Sequence, residues 1–456
     1  MADTIAALAT GTGRAGVGII RLSGPNAIAA ADRIFRSKSG IKMSDAEDRK
    51  LLYGAIVDEA GAPLDYGLCA VSHAPNSYTG ENTAELHCHG APVVLAAVLD
   101  ELFRAGARPA EPGEFTQRAF LNGRLDLTQA EAVIDLIDAE TEQAAKNAAG
   151  QLGGAIAQKI HTAYDALVDV SAHFFAVIDY PDEALEDFKT EDCLAVLDGV
   201  AHALEMLLKT YERGRILKDG VKTALIGRPN VGKSSLLNAL AGYERAIVTP
   251  HAGTTRDTIE EKLRFGGVVL RLVDTAGIRH TQDAIESLGV DRALGAAETA
   301  ALILAVFDGS TDLTDDDRRI LDIAARAKNA VAVVSKSDLA QKLDKTFLKA
   351  RFQNIVEVSA VTGEGLPELG TVLGRLFTGA DGVPGGEILT NARQAGAIAR
   401  AREDIARAAA ALQAGVTPDA VLTDIESAMS ALGEVTGKTV REDIVSRIFE
   451  RFCVGK

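Results

Sequence analysis

The sequence predicts a multidomain chain that mixes α/β and all-α parts. An N-terminal α/β domain comes first, then a helical domain, with a doubly wound α/β module inserted into the helical one. Three observations carry this. At residues 221–240 an apolar run, a Gly-x4-Gly-Lys-Ser loop and the helix-like SLLNAL follow one another. Before about residue 118, short β-prone runs alternate with turn residues. From about Leu127 apolar residues recur at helical spacing, stop for the inserted module, and resume after about residue 386.

The inserted module is the most informative stretch. Val221–Ile226 reads as a short buried strand, and Gly227-x4-Gly232-Lys233-Ser234 as a phosphate-binding loop. Glycines let backbone N–H groups close on phosphates, Lys233 neutralises oxygen charge, and the Ser234 hydroxyl suits Mg²⁺. Asp274-Thr275-Ala276-Gly277 follows the strand Val268–Val273, where an acid stands behind the metal and Gly277 offers an N–H to a γ-phosphate. Between them TPHAGTTRD, Thr249–Asp257, reads as a loop whose Thr255 closes on Mg²⁺ only with the γ-phosphate present, a switch. Ser335-Lys336-Ser337-Asp338 and Ser359-Ala360 then follow the strands Ala330–Val334 and Ile355–Val358. The Asp338 carboxylate can accept from both N1 and N2 of guanine, donors that adenine lacks. Four such elements in order, each at a strand's C-terminal end, identify a guanine-nucleotide domain. Its expected contacts are Asn230, Val231, Gly232, Lys233, Ser234 and Ser235; Thr249, Pro250, His251, Ala252, Gly253, Thr254 and Thr255; Asp274, Thr275, Ala276 and Gly277; and Lys336, Asp338, Ser359 and Ala360.

Length and composition bound the rest. The 456 residues suit about three domains. Hydrophobic residues at 47% and charged ones at 25% describe a globular chain with ample core. The N-terminus lacks a basic start and a long apolar run, so no signal peptide is expected. No stretch offers about 18 uninterrupted apolar residues, so no membrane span is expected either. Cys69, Cys88, Cys193 and Cys453 show no paired spacing and suit a reducing cytoplasm. A formal charge of −16 argues against a generally nucleic-acid-coating surface, so RNA would need a local basic patch or a partner.

In chain order, Val17–Leu22 reads as a strand, Leu52–Val57 and Gly67–Ser72 as an antiparallel pair, Ala84–His89 as a further strand and Pro92–Phe103 as an amphipathic helix. His87 and His89 share a strand face and could hold a metal, but no third ligand stands at metal spacing. Leu127, Ala130, Ile134 and Ile137 fall on one helical face, and Thr128 with Glu131 reads as its capping box. The helical pattern breaks at Tyr180-Pro181-Asp182, and the glycine-rich Gly379–Gly386 marks a boundary. Helical pattern resumes over Asn391–Ala414, Pro418–Leu432 and Val440–Phe452, where Ala397–Ala411 reads as a solvated helix of high propensity. The expected division is 1–120, 121–217, 218–380 and 381–456.

Beyond the nucleotide motifs, the chain carries Asp3-Thr4-Ile5, GVGIIRLSG (Gly16–Gly24), SYTGEN (Ser77–Asn82), ELHCHG (Glu85–Gly90), PGEFTQRAFLNGRLDLTQAEA (Pro112–Ala132) and a final Cys453-Val454-Gly455-Lys456. In these it resembles, over essentially its whole length, the MnmE (TrmE) family of tRNA-modification GTPases. The resemblance implies a folate-binding-like N-terminal domain that also dimerises, and a cytoplasmic homodimer. It implies a heterotetramer with the FAD-dependent partner MnmG and modification of C5 of the wobble uridine in certain tRNAs, using a tetrahydrofolate one-carbon unit such as that of 5-formyltetrahydrofolate. By position, the folate contacts fall on Arg21, Glu85, Arg124 and Lys456. A carboxylate suits pterin N–H donors, and cations suit the folate glutamate. Cys453 is either a reactive thiol or a bystander. Three departures stand out: Ser335 where the guanine motif usually begins with Asn, Ala91 for a second glycine, and Glu111 for an arginine.

Ile278 occupies the place where many small GTPases orient water with glutamine, and it has no hydrogen-bonding group. The resemblance assigns that role to Glu286, acting through water. It also implies K⁺, held by the Asn230 side chain and the loop of Thr249, His251 and Thr254, alongside Mg²⁺ on Ser234 and Thr255. Arg256 and Arg279 are candidates for an arginine finger, though solvated loop arginines are the simpler reading. The alternative is a ribosome-assembly or sensor GTPase without one-carbon chemistry. It would not need the Arg21, Glu85, Arg124 set or the terminal motif.

Overall fold

The computed structural model describes residues 3–179, 190–243, 261–273, 295, 297, 299–377, 386–440, 442–450 and 452–455. They divide into two compact units, Met1–Ile134 with Leu152–Ala201 and Arg400–Lys456, and Asp135–Gln151 with His202–Ala399. Among the described residues, no helix is long and apolar enough to cross a membrane.

The first unit is built on β1 (Ile5–Leu8), β2 (Ala15–Ser23), β3 (Phe35–Ser37), β4 (Leu52–Val57), β5 (Pro63–Ser72), β6 (Thr83–Gly90) and β7 (Arg108–Pro109). They form one sheet in the order β3-β4-β5-β6-β2-β1-β7. All neighbours are antiparallel except β1 and β7. Period-two alternation explains its two faces. Ile20, Leu22, Ala84, Leu86, Cys69 and Val71 are buried in one cluster with Ile28 of α1 (Ala27–Ile34) and Leu95, Val98 and Leu102 of α2 (Pro92–Arg104). The opposite face carries Arg21, which is Glu85's direct cross-strand partner, and also Ile5 and Ala7, which pack with Phe115 of α3 (Glu114–Leu121). The strands and the α2 helix expected from sequence all form, with the hairpin extending back to Pro63.

The helical segments are α4 (Leu127–Ile137), α5 (Glu142–Leu152), α6 (Ala155–Asp179), α7 (Thr190–Lys209) and α8 (Tyr211–Asp219). Two readings need correction at α4. Its capping box is Asp126 with Gln129, not Thr128 with Glu131: Asp126 Oδ1 accepts from the Gln129 N–H at 3.0 Å, and Gln129 Oε1 accepts from the Asp126 N–H at 3.0 Å. Thr128 and Glu131 lie inside the helix and are buried. The packed face runs through Leu127, Ala130, Val133 and the partly buried Ile134, while Ile137, the last helical residue, is 45% exposed. The Tyr180–Asp182 break lies outside the described residues.

In the second unit β8 (Val221–Ile226), β9 (Glu261–Phe265), β10 (Val268–Leu272), β11 (Leu302–Asp308), β12 (Ala330–Ser335) and β13 (Asn354–Val358) form a sheet of order β13-β12-β11-β8-β10-β9. Only the β9–β10 hairpin is antiparallel. Helices α9 (Lys233–Tyr243), α10 (Asp315–Ala324), α11 (Thr346–Lys349) and α12 (Leu366–Phe377) accompany it. The apolar runs of β11 and β12 are continuous because both faces are covered, while β8 is interrupted by the exposed Lys222. After β8 the chain goes to the β9–β10 hairpin on one side and then crosses to β11 on the other. The end of β8 is therefore a topological switch point, where open α/β sheets bind ligands.

Gly386, just past the expected boundary loop, begins a segment captured by α5: Asn147 Oδ1 accepts from the Gly386 and Ile388 N–H groups, both at 3.2 Å, and Gln151 Nε2 donates to Ile388 O at 2.6 Å. Residues 378–385 lie outside the described residues. Next come α13 (Ala392–Gln413), α14 (Pro418–Thr436) and α15 (Glu442–Phe449). The Ala397–Ala411 stretch is helical but not simply solvated, since Ala397, Ile398, Ala401, Ile405 and Ala408 are all buried. Alanine there permits close packing in addition to supplying propensity.

Candidate functional site

The phosphate loop is shaped by its residues one at a time. A Cβ at Gly227 would stand 2.7 Å from Val306 O on β11, so a side chain is barred. Asn230 takes a left-handed backbone at φ 61, tolerated best by Asn among non-glycine residues, and Gly232 follows at φ 98. Val231 is fully buried and anchors the turn. The α9 helix starts at Lys233, so the positive end of its dipole faces the loop. Lys233 Nζ donates to Gly227 O at 2.6 Å and Arg228 O at 2.8 Å, closing the loop over itself. Asn230, Ser234 and Ser235 are exposed beside it. A hydroxyl in the first turn and an exposed amide fit the oxygen-ligand chemistry of Mg²⁺ and a monovalent cation.

The base-side elements stand on the same edge of the sheet. Ser335 and Val358 are register partners closing β12 and β13. Lys336 adopts φ 59, and Asp338 is exposed. Ser359 is buried and its Oγ accepts from the Thr362 N–H at 3.2 Å, shaping the turn that carries Ala360. Ser335 turns inward, with its Oγ 2.5 Å from Val231 O of the phosphate loop and 3.0 Å from Phe307 O. A hydroxyl has one proton, and here it goes to these carbonyls. Asn230, Val231, Gly232, Lys233, Ser234 and Ser235 are thus brought to the same sheet edge as Lys336, Asp338, Ser359 and Ala360. Thr249, Pro250, His251, Ala252, Gly253, Thr254, Thr255, Asp274, Thr275, Ala276, Gly277 and Glu286 lie outside the described residues, as do Arg256, Ile278 and Arg279.

A second constellation sits on the open face of the first unit's sheet. Arg21 Nε donates to Glu85 Oε1 at 2.9 Å, and the guanidinium lies 5.5 Å from the Tyr78 ring centroid and 5.9 Å from that of Phe115. The Tyr78 and Thr116 hydroxyls pair at 2.9 Å. Burial pushes the Tyr78 phenol up. Arg124 is exposed and packs beside Gly80 in the same Ser77–Asn82 loop. Val454 forms an antiparallel bridge with Pro112, and the Gly113 N–H donates to Cys453 O at 3.2 Å. A Cβ at Gly455 would stand 2.1 Å from Leu8 O, so this glycine allows close docking on β1. Cys453 is exposed, and Lys456 lies outside the described residues. Of the two histidines, His89 Nδ1 pairs with Asp65 at 2.7 Å and His87 Nε2 is 3.7 Å from Glu85.

Sequence reasoning missed the charged framework under this face. Arg118, 2% exposed, donates to Glu81 Oε2 at 3.0 Å, Glu114 Oε1 at 2.8 Å and Asp3 Oδ1 at 3.0 Å. Arg108 grips Glu114 from the other side at 2.6 Å. Burial pushes the Glu114 carboxyl up, but hydrogen bonds from Arg108, the Glu111 N–H and Arg118 outweigh it and hold it below the ordinary range. The Arg108 hydrogen bond likewise holds Asp3 down. The i,i+4 spacing of Glu114 and Arg118 was the one local signal. Also missed were Arg228 and Asp308, although an acid closing an all-apolar strand was visible.

Two family models match the chain: the GTP-binding protein TrmE N-terminus over residues 4–124, and the MnmE helical domain over residues 127–453. Proteins described as tRNA modification GTPase MnmE are similar along the full length. The Roseiflexus sp. (strain RS-1) protein is 43% identical, with 100% of this chain and 99% of that protein covered. Those of Symbiobacterium thermophilum, at 44%, and Lactobacillus delbrueckii subsp. bulgaricus, at 42%, each cover 100% of this chain and 99% and 98% of their own lengths.

Proposed function

This chain belongs to the MnmE family of tRNA modification GTPases, and from that premise we propose that it hydrolyses GTP in a K⁺-dependent manner, as a homodimer whose nucleotide domains pair. With the flavoprotein MnmG it adds an aminomethyl or carboxymethylaminomethyl group at C5 of the wobble uridine, in the cytoplasm, using a tetrahydrofolate one-carbon unit. Its domains follow the division 1–120, 121–217, 218–380 and 381–456. The observation that best supports the one-carbon part is the docking of the Cys453–Gly455 segment beside the sheet that carries Arg21 and Glu85, with Tyr78 in the adjoining Ser77–Asn82 loop. A GTPase without such chemistry has no need of that arrangement.

In the nucleotide domain Lys233 and the α9 N-terminus bind the phosphates, and Asp338 selects guanine by accepting from its N1 and N2. Glu286 orients the attacking water, because Ile278 cannot. Mg²⁺ on Ser234 and Thr255 and K⁺ on Asn230, Thr249, His251 and Thr254 would supply positive charge to the phosphate oxygens. Hydrolysis in K⁺ should exceed that in Na⁺ at equal ionic strength by at least about tenfold, since screening alone acts on both salts alike. Asn230→Ala should remove most of that response while GDP binding stays nearly intact. Glu286→Ala should lose roughly a hundredfold in turnover yet keep K⁺-dependent pairing with a transition-state analogue. Equal rates in the two salts would sink the cation model and turn attention to Arg256 and Arg279.

In the N-terminal domain the Glu85 carboxylate, oriented by Arg21, would accept from the amino-pyrimidine N–H groups, and Arg124 and Lys456 would meet the folate carboxylates. Tyr78 would supply the apolar flank, backed by the buried Phe115. Calorimetry on the full-length protein should show saturable 5-formyltetrahydrofolate binding, weakened roughly tenfold in Glu85→Ala. No heat of binding to the wild type would move the reading to an assembly or sensor GTPase.

A further inference from the structure

Behind the phosphate loop and the base-side turn lies a charged framework whose acids, Asp308 and Asp317, have no part in the chemistry above. The apolar run Leu302–Phe307 ends in Asp308, which is 4% exposed. Its Oδ2 accepts from Lys336 Nζ at 2.7 Å, while Oδ1 accepts from the Ser310 N–H at 2.9 Å and the Ser310 hydroxyl at 2.6 Å. Arg228 of the phosphate loop holds Nη2 4.0 Å from the same Oδ2 and donates to Thr311 Oγ1 at 2.7 Å. Its Nε donates to Asp317 Oδ2 at 3.2 Å, inside the Thr314–Asp317 capping box of α10. Burial pushes the Asp308 carboxyl up, but Lys336 and Ser310 outweigh it, so it stays ionised at neutral pH.

Two facts make this framework matter for binding. Lys336 has a left-handed backbone, which costs a non-glycine residue free energy, and its ion pair with Asp308 offsets that cost. Asp338 stands two residues further along the same turn. Ser335, at the head of the motif, spends its proton on Val231 O and Phe307 O and so does not hold the base. We propose that Asp308 is a positioning residue for the guanine nucleotide: by gripping Lys336, with Arg228 beside it, it fixes the base-reading turn relative to the phosphate loop before the nucleotide arrives. This rests on the nucleotide-site reading above and names the residue that aims Asp338.

Inosine diphosphate tests the aim, because it lacks the 2-amino group that Asp338 reads. In Asp308→Asn the side chain keeps its size and can still accept from Ser310, but loses the ion pair. Labelled GDP should bind the full-length variant roughly tenfold more weakly, the size of one charge-assisted hydrogen bond. The ratio of inosine to guanosine diphosphate dissociation constants should fall toward one. Lys336→Met should weaken GDP similarly, and the double variant should be no weaker than the worse single one. Ser310→Ala, which removes a tether from the far side of Asp308 at a half-buried residue, should shift the ratio in the same direction by about two- to threefold. It carries the test if Asp308→Asn does not fold. A wild type that fails to bind GDP would overturn the nucleotide-site reading itself. Wild-type binding with an unchanged ratio in Asp308→Asn and Ser310→Ala, or with additive losses in the double variant, would overturn this inference alone.

Discussion

Arg118→Met should lower the opening free energy of the N-terminal sheet by about 3–5 kcal/mol at neutral pH, the cost of removing one partner from a buried ionic cluster. The methionine keeps most of the aliphatic stem, so the loss reports charge more than volume. Without the guanidinium, Glu81 and the almost fully buried Glu114 lose the cation they share, leaving Ser23 to hydrogen-bond Glu81 and Arg108 to neutralise Glu114. Asp3 is largely solvated and adds little. The pH dependence has a definite sign. Glu114 and Asp3 have carboxyls held below their unfolded values. Their stabilisation is therefore full above the unfolded values, near pH 4, and is lost as pH falls through the lower folded ones. The variant's deficit should be largest near neutrality and shrink on acidification. Hydrogen exchange at the β2 and β6 amides of the full chain reads this unit by itself. Lys50→Met, which breaks an exposed i,i+3 pair, is the control and should change less than about 0.5 kcal/mol. A deficit below about 1 kcal/mol in Arg118→Met would mean that packing, not charge, holds the framework.

Lys233→Met should weaken GTP binding about a hundredfold or more while leaving the far-ultraviolet circular dichroism unchanged. The ammonium lies 2.6 and 2.8 Å from the carbonyls of Gly227 and Arg228, so it is already held across the loop that is to enclose the phosphates. Little reorganisation is needed when a phosphate oxygen arrives. Each charged hydrogen bond lost there costs about 1.5–3 kcal/mol, and a triphosphate offers more than one. The residue is half-buried at a helix start and its methylene stem survives in methionine, so the sheet core is not disturbed. Titration with a labelled non-hydrolysable GTP analogue measures the loss, and an affinity within threefold of wild type would remove Lys233 from the phosphate site.

Much of the nucleotide edge was legible because its determinants are local. Gly227, Asn230 and Gly232 sit where a side chain would strike Val306 O or where the backbone is left-handed, and the strand and helix on either side show their own periodicity. The α4 cap was misread by two residues because Asp126 and Thr128 are both good N-caps, and only the turn out of α3 selects between them. The Ala397–Ala411 helix looked solvated because alanine is ambiguous between exposed propensity and close packing.

The sequence by itself determined the order of the elements, the glycine loop at 227–234 and the turn at 335–338, since each depends on steric and hydrogen-bonding preferences within a few residues. Only the tertiary structure decided which distant charges meet. Arg118 finds Asp3 across 115 positions, Arg228 finds Asp317 across 89, and Lys336 finds Asp308 across 28. Val454 reaches Pro112 by the same kind of long return. Many acids could satisfy any one of these arginines in water, where exposed pairs are worth little. Strand register and burial leave only a few partners within reach, and desolvation makes the buried pairings, such as that of Arg118 with Glu114, costly to break.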